Sequence, residues 1–176
     1  MILEMYEILF PIQGYDCDSI RRQVQSLIPN ETRDQARMLY RLEGPVARVR
    51  MPRPSNYATS RMIQLSIRKK CRYMFSLRAN VIKRVSLGNG RSKRVPDQDW
   101  EGWMLRHQYG FEVHDFRSRF SPECYGETSD KFMTYLGVDY SGILECVDEL
   151  GLANAVLSGI GRAKCYGFGL LLEELI

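Results

Sequence analysis

The chain has 176 residues, 44% of them hydrophobic, with 25 Lys or Arg against 21 Asp or Glu for a formal net charge of +4. This length suits one globular domain or two small ones sharing a core, and no apolar run nears the ~20 residues that cross a bilayer. Glu4 and Glu7 stand where a secretory leader would carry bases, so a cytoplasmic protein without membrane contact is expected.

Residues Met1 to Phe10, rich in Ile, Leu, Tyr and Phe, predict a strand stopped by Pro11 and a turn at Gly14. Asp16 or Asp18 can cap a helix whose apolar side is Ile20, Val24, Leu27 and Ile28, with Arg21, Arg22 and Gln25 facing away and Pro29-Asn30 as its end. A hairpin is predicted from Arg37 to Glu43 and Val46 to Met51 through Gly44-Pro45. A turn at Pro52 to Tyr57 and an ambiguous stretch at Arg61 to Ile67, helix or loop, lead to the alternating strand Arg72 to Arg78. This order is ferredoxin-like, or RNA-recognition-motif-like, and defines a first half, residues 1–85.

Residues 86–95 read as a basic glycine-rich loop. Pro96, Asp97 and Asp99 suit a helix start. That helix runs to about Gly110, and its stripe of Trp100, Trp103, Met104 and His107 reads as core rather than as a base-stacking platform. Strands near Phe111 to Arg119 and Lys131 to Cys146, a helix from Asp148 to about Ser158, and a glycine-rich segment into Leu170 complete residues 96–176. The repeated strand-and-helix theme predicts a second, divergent copy of the first half and an α+β fold, although no sequence repeat is detectable.

Charge is unevenly placed. Fourteen bases and no acid lie between Gly44 and Pro96; removing those fourteen from the 25 leaves eleven bases against all 21 acids. A cationic segment in an otherwise acidic chain attracts polyanions, and its neighbours Tyr73, Phe75, Trp100 and Trp103 supply rings, so nucleic acid is the expected partner. The five cysteines are far apart and lack a Cys-x-x-Cys pair, so neither a zinc site nor a disulfide framework is expected, and most should be small buried hydrophobes. His107 and His114 have no neighbours that complete a ligand set, and no metal is expected.

The most specific motif is Gly159-Ile-Gly161-Arg162-Ala-Lys164-Cys-Tyr166-Gly167-Phe-Gly169. Its glycines allow backbone amides to approach an anion, with Arg162 and Lys164 adding charge and Tyr166 a ring. A dinucleotide fingerprint would open a helix after a strand, whereas this segment follows a helix and feeds a strand.

This tail resembles the signature of the repeat-associated RAMP superfamily of CRISPR systems, and most of all its CasE-type endoribonucleases. Three further segments resemble the family in order: Tyr73 to Lys83 with Leu77-Arg78-Ala79-Asn80, where Val81 replaces a usual proline; Arg94-Val-Pro96 before the Trp103 helix; and Tyr140-Ser-Gly142-Ile-Leu. The resemblance implies a RAMP fold of two ferredoxin-like halves in tandem that binds a CRISPR repeat RNA hairpin. It also implies that the protein keeps the cut guide RNA within a multi-subunit effector complex. Arg78, Asn80 and Lys83 become candidates for phosphate and sugar contacts, and Arg84, Arg91, Lys93 and Arg94 fall on a loop set against the RNA stem. Gly159, Gly161, Arg162, Lys164, Tyr166, Gly167 and Gly169 extend that RNA-binding set.

The resemblance further implies cutting without a metal or other cofactor, by attack of the RNA's own 2′-hydroxyl. The family supplies a histidine from the first helix; matching Leu27-Ile-Pro29 to its helix end puts Arg21 there, and no histidine occurs in the first hundred residues. Arginine stays protonated and can hold phosphate but is a poor base. Arg21, Arg22 and Tyr15 are the catalytic candidates. The alternatives are a non-catalytic hairpin-binding subunit, which the missing histidine favours, and an unrelated RNA-recognition-type module.

Overall fold

The structure is a computed structural model that describes residues 1–14, 16–28, 38–88, 90–128 and 131–175, with side chains described except at 92, 94, 122–128, 131–134, 136 and 172–175. Two four-stranded antiparallel sheets organise the chain. The first has β1 (Ile2–Pro11), β2 (Leu39–Glu43), β3 (Val46–Met51) and β4 (Arg61–Ser66) in the order β2-β3-β1-β4, with α1 (Cys17–Gln25) between β1 and β2. The second has β5 (Arg72–Asn80), β8 (Phe111–Thr128), β9 (Lys131–Cys146) and β10 (Leu171–Leu175) in the order β10-β5-β9-β8. Two helices, α2 (Trp100–Leu105) and α3 (Glu149–Ser158), precede β8 and β10, and a separate hairpin of β6 (Ile82–Gly88) and β7 (Arg91–Pro96) leaves the second sheet after β5. In each sheet the first and third strands are central and the second and fourth lie at the edges, which is the ferredoxin-like order.

Local sequence explains most of these elements. The Asp16 carboxylate accepts from the Ser19 amide at 2.7 Å and starts α1, whose buried Ile20 and Val24 pack with Ile8, Ala47, Val49 and Met51. In β5 the alternate residues Tyr73, Phe75, Leu77 and Ala79 are buried against Trp103 and Met104 of α2 and Leu152 and Val156 of α3. Asp148 caps α3 through the Leu150 and Gly151 amides, as its position predicts. Trp103 and Met104 are core, also as expected.

Several expectations are corrected. The ambiguous stretch Arg61 to Ser66 is edge strand β4, and residues 52–60 hold no helix, so the first half lacks its second helix. β5 pairs with β9 and β10, not with the first sheet to which element order assigned it; strand pairing is decided by partners far away along the chain. The segment read as a basic loop is the β6–β7 hairpin, turning at Gly88 and Gly90, both with positive φ. The helix expected to follow Pro96 is only Trp100–Leu105, because Asp99 is its cap and buried Asp97 is held before it by Arg106 at 2.7 Å and Lys83 at 3.2 Å.

Cys17 is buried and disulfide-bonded, while Cys71 is half-buried and Cys165 exposed. Spacing along the chain carries no information about which cysteines the fold brings together. No helix among the described residues is long and apolar enough to cross a membrane.

Candidate nucleic-acid interface

The acid-free segment meets its acids through the sheets. Glu7 lies on β1 directly opposite Arg50 of β3 and Arg61 of β4. Only 1% exposed, it accepts from Arg61 at 2.6 Å, Arg48 at 3.0 Å and Arg50 at 3.1 Å. Burial pushes its carboxyl pKa up, but hydrogen bonds from Arg61 and Arg50 and the charges of Arg50 and Arg48 outweigh it and hold the value below the usual range. Asp139 on β9 is the counterpart, with Arg78 of β5 and Arg119 of β8 opposite it. Arg78 grips it with two nitrogens at 2.8 and 3.1 Å, while Arg119 and Arg41 stand at 3.8 and 3.9 Å. Here too burial raises the pKa, and the Arg78 hydrogen bond and the charges of Arg78, Arg41 and Arg119 bring it below the ordinary value.

Arg78 is therefore an ion-paired strand residue, although three arginines around one carboxylate leave two positive charges in excess. Arg41 also donates to Ser76 Oγ at 2.6 Å, which ties β2 of the first half to the second sheet. Exposed Arg117 lies two residues from Arg119 on the same face of β8, opposite Ser141. Sequence reading missed Arg41, Arg117 and Arg119; the period-two Arg117-Ser-Arg119 spacing on a predicted strand was the available signal.

The hairpin is different. Residues 82–96 carry five bases and no acid. Lys83 is anchored to Asp97, but Arg84, Arg91 and Lys93 are exposed and have no ion pair among the described residues. Arg84 stands opposite Arg94 in the register of the ladder. The side chain of Arg94 lies outside the described residues.

The glycine-rich segment is a tight turn against the first half. Gly167 has φ +87 and a Cβ there would stand 3.0 Å from the Tyr40 ring; Gly169 has φ +83 and its Cβ would stand 2.6 Å from the Ile160 oxygen. The amides expected to reach toward an anion are bonded inside the protein: Gly159 to Ala155 O at 2.9 Å, Ile160 to Gly169 O at 2.9 Å and Gly169 to Arg78 O at 2.7 Å. Asn80 is buried and bridged to Arg162 along the backbone. The glycines and Asn80 thus shape and anchor the turn, while its charged side chains lie at the surface. Lys164 donates to Ser158 O at 2.7 Å, and with exposed Arg162 it lines an open groove of about 880 Å³ shared with His107, Tyr109 and Asn154.

The second cationic site lies where α1 packs on the 3-10 turn Lys164–Tyr166. Arg21 binds Asp18 at 2.5 and 2.9 Å and Gln25 at 3.1 Å, and Arg22 reaches the same carboxylate at 3.1 Å. The Asp18 hydrogen bond raises the Arg21 pKa against the opposing effect of burial, so this side chain is a permanent cation. Tyr40 donates to Cys165 O at 3.0 Å and locks the turn to β2. The rings of Tyr135 and Tyr166 stack at 4.8 Å and 27°, within electrostatic reach of Arg21. Tyr15 lies outside the described residues.

Neither histidine is among these groups. His107 stacks on Trp103 at 3.9 Å and donates from Nδ1 to Trp103 O at 2.7 Å, and His114 stands 3.7 Å from Glu145. Among the described residues, no three His, Cys, Asp or Glu side chains cluster so as to hold a metal ion.

A family model described as CRISPR associated protein matches residues 13–172. Among solved structures, the chain is similar to a CRISPR endoribonuclease Cse3 bound to 19-nucleotide RNA, with TM-score 0.79 and 19% identity over 98% of both chains. It is similar to the CRISPR-associated protein Cas6e from Escherichia coli strain K-12, with TM-score 0.73 and 23% identity over 100% of both chains. It is also similar to a chain of a CRISPR RNA-guided surveillance complex, with TM-score 0.73 and 20% identity over 98% of this chain and 100% of that one. At these identities the likeness is one of fold. None of the curated proteins matches the chain.

Proposed function

The chain belongs to the CRISPR associated protein family, and on that premise we propose that it binds the hairpin of a CRISPR repeat RNA, cuts the precursor RNA and keeps the product within an effector complex. The observation that carries the binding half is the hairpin arm, whose exposed Arg84, Arg91 and Lys93 have no acidic partner among the described residues. An A-form stem offers backbone and 2′-hydroxyls rather than readable base edges, and a narrow cationic arm suits its phosphates. Arg94 joins this arm by its register, Lys83 steadies its base through Asp97, and Arg117 and Arg119 continue the cationic surface on the second sheet. Arg78 contributes the excess charge around Asp139. Arg162, Lys164 and Tyr166 contribute from the turn that Asn80, Gly159, Gly161, Gly167 and Gly169 shape.

Cutting is assigned to the site where α1 meets this turn, because Arg21 and Arg22 lie there beside it. Attack of the 2′-hydroxyl on the adjacent phosphate gives a cyclic phosphate and a 5′-hydroxyl, and develops negative charge on the phosphate oxygens without calling on a metal. Arg21 and Arg22 share one carboxylate, leaving one positive charge in excess to stabilise that oxyanion. Tyr15 precedes α1 and is assigned to phosphate positioning.

The test is incubation with the cognate repeat RNA in EDTA followed by analysis of the product ends. Cyclic phosphate ends are expected; tight binding with no cut over hours overturns the nuclease reading. That outcome is what the second reading, a hairpin-binding subunit without catalysis, predicts, and the location of both histidines away from α1 favours it.

A further inference from the structure

Cleavage by a 2′-hydroxyl leaves a 5′-oxygen that departs well only if it gains a proton. The arginines of α1 are too weakly acidic to supply one, and both histidines lie elsewhere in the fold. Among the described residues, the remaining titratable groups around Arg21 are Asp18 on its own helix, Tyr40 on β2, Cys165 and Tyr166 on the 3-10 turn, and Tyr135 on β9.

Four of these are otherwise engaged. Asp18 binds both arginines as an acceptor. Tyr40 is buried, and its hydroxyl proton is held by Cys165 O. The Cys165 thiol is a weak hydrogen-bond donor, poorly matched to a departing alkoxide. Tyr135 stands on β9 behind the turn, and burial together with its hydrogen bond to Tyr166 raises its pKa.

That leaves Tyr166. Its ring is half-buried and fixed by the stack on Tyr135. Its backbone is fixed between two left-handed residues, Ala163 at φ 58 and Gly167 at φ 87, with its own amide bonded to Ala163 O at 2.9 Å. Of the two stacked phenols, Tyr166 is the one on the turn that packs against α1, the helix of Arg21 and Arg22.

We propose that Tyr166 is the proton donor to the departing 5′-oxygen, with Tyr135 as the positioning residue behind it; this rests on the reading of the chain as a nuclease. In the step, the 2′-oxygen to phosphorus bond forms while the phosphorus to 5′-oxygen bond breaks. The electron pair goes to the 5′-oxygen, which takes the Tyr166 proton, and the 2′-proton passes to water. The phenolate, held by the Tyr135 hydrogen bond and the Arg21 charge, is reprotonated from water, so no proton is gained or lost.

The experiment compares the unaltered protein and Tyr166→Phe on repeat RNA with the normal 5′-oxygen and on RNA with a bridging 5′-sulfur at the cut. Phenylalanine keeps the stack, and affinity for uncut RNA reports that the surface is intact. The expected result is a cut slowed about 100-fold on the oxygen substrate, within the range general acids contribute, with unchanged affinity. On the sulfur substrate both proteins cut at similar rates, because a thiolate with a pKa near ~8.5 leaves unprotonated. Tyr135→Phe gives a smaller loss of the same kind. Equal slowing on both substrates means a structural role and overturns the proposal, as does wild-type speed on the oxygen substrate. If the unaltered protein cuts neither RNA, the nuclease reading itself has failed.

Discussion

The β6–β7 hairpin and the two sheets hold arginines in opposite states. In the sheets, central-strand carboxylates meet arginines from both neighbouring strands: Glu7 between Arg50 and Arg61, and Asp139 between Arg78 and Arg119. In the hairpin, Arg84 stands opposite another arginine in the register and its companions Arg91 and Lys93 have no acid among the described residues. The same residue type therefore supports the fold where it meets a buried carboxylate, and is left for a polyanion where the described residues offer it none. The α1 site stands between these extremes, with two arginines sharing Asp18.

The sharpest way to break this distinction is to remove a carboxylate from a sheet. Glu7→Gln leaves Arg48, Arg50 and Arg61 around a neutral group and should cost about 3–5 kcal/mol of stability, read from denaturant unfolding. Asp139→Asn should act similarly and loosen Arg41 and Arg78 together. Acid should imitate both. Each carboxyl sits below its ordinary value, 4.5 for Glu7 and 3.8 for Asp139. The unfolded chain therefore takes up these protons first, and the stabilisation is complete at neutral pH. It should be lost as pH falls below those ordinary values and through the lowered ones, and the Glu7→Gln variant should show less of that loss.

A smaller effect is expected at the α1 site. Arg21→Ala should slow cutting about 100-fold, roughly 2.7 kcal/mol of transition-state stabilisation, while RNA affinity falls less than tenfold. Single-turnover rates beside equilibrium binding separate the two. Smallest of all should be the effect of hairpin charges on folding: Arg84→Ala, Arg91→Ala and Lys93→Ala together should shift stability by no more than about 0.5 kcal/mol.

Much of this was readable from sequence where the governing contacts are local. Ile20 and Val24 announce α1 by their spacing, although the helix stops at Gln25, short of the expected Leu27 and Ile28, which are buried just past its end; Ala47, Val49 and Met51 announce β3, and Asp148 announces α3. The fold class followed from the order of these pieces. What escaped were non-local choices. The alternation in Tyr73, Phe75 and Leu77 identifies a strand but does not say that it joins β9 and β10. The hairpin passed for a loop because Lys83 to Arg94 has no apolar face to mark a strand. At the site, the sequence placed Arg21 and the glycine-rich turn as separate motifs. Their meeting depends on Tyr40 locking the turn to β2, and Tyr135 entered no motif at all. Arg78 looked like a free cation because its partner Asp139 lies 61 residues away.

The central claim is that the hairpin's unpaired bases hold RNA. It is tested most directly by measuring the affinity for repeat-hairpin RNA as a function of salt, for the unaltered protein and for the Arg84, Arg91 and Lys93 triple alanine variant. Each lost phosphate contact should lower the slope of log K against log salt by about 0.7–0.9, so a drop of roughly 2 or more with unchanged folding stability is predicted. An unchanged slope and affinity would contradict the account.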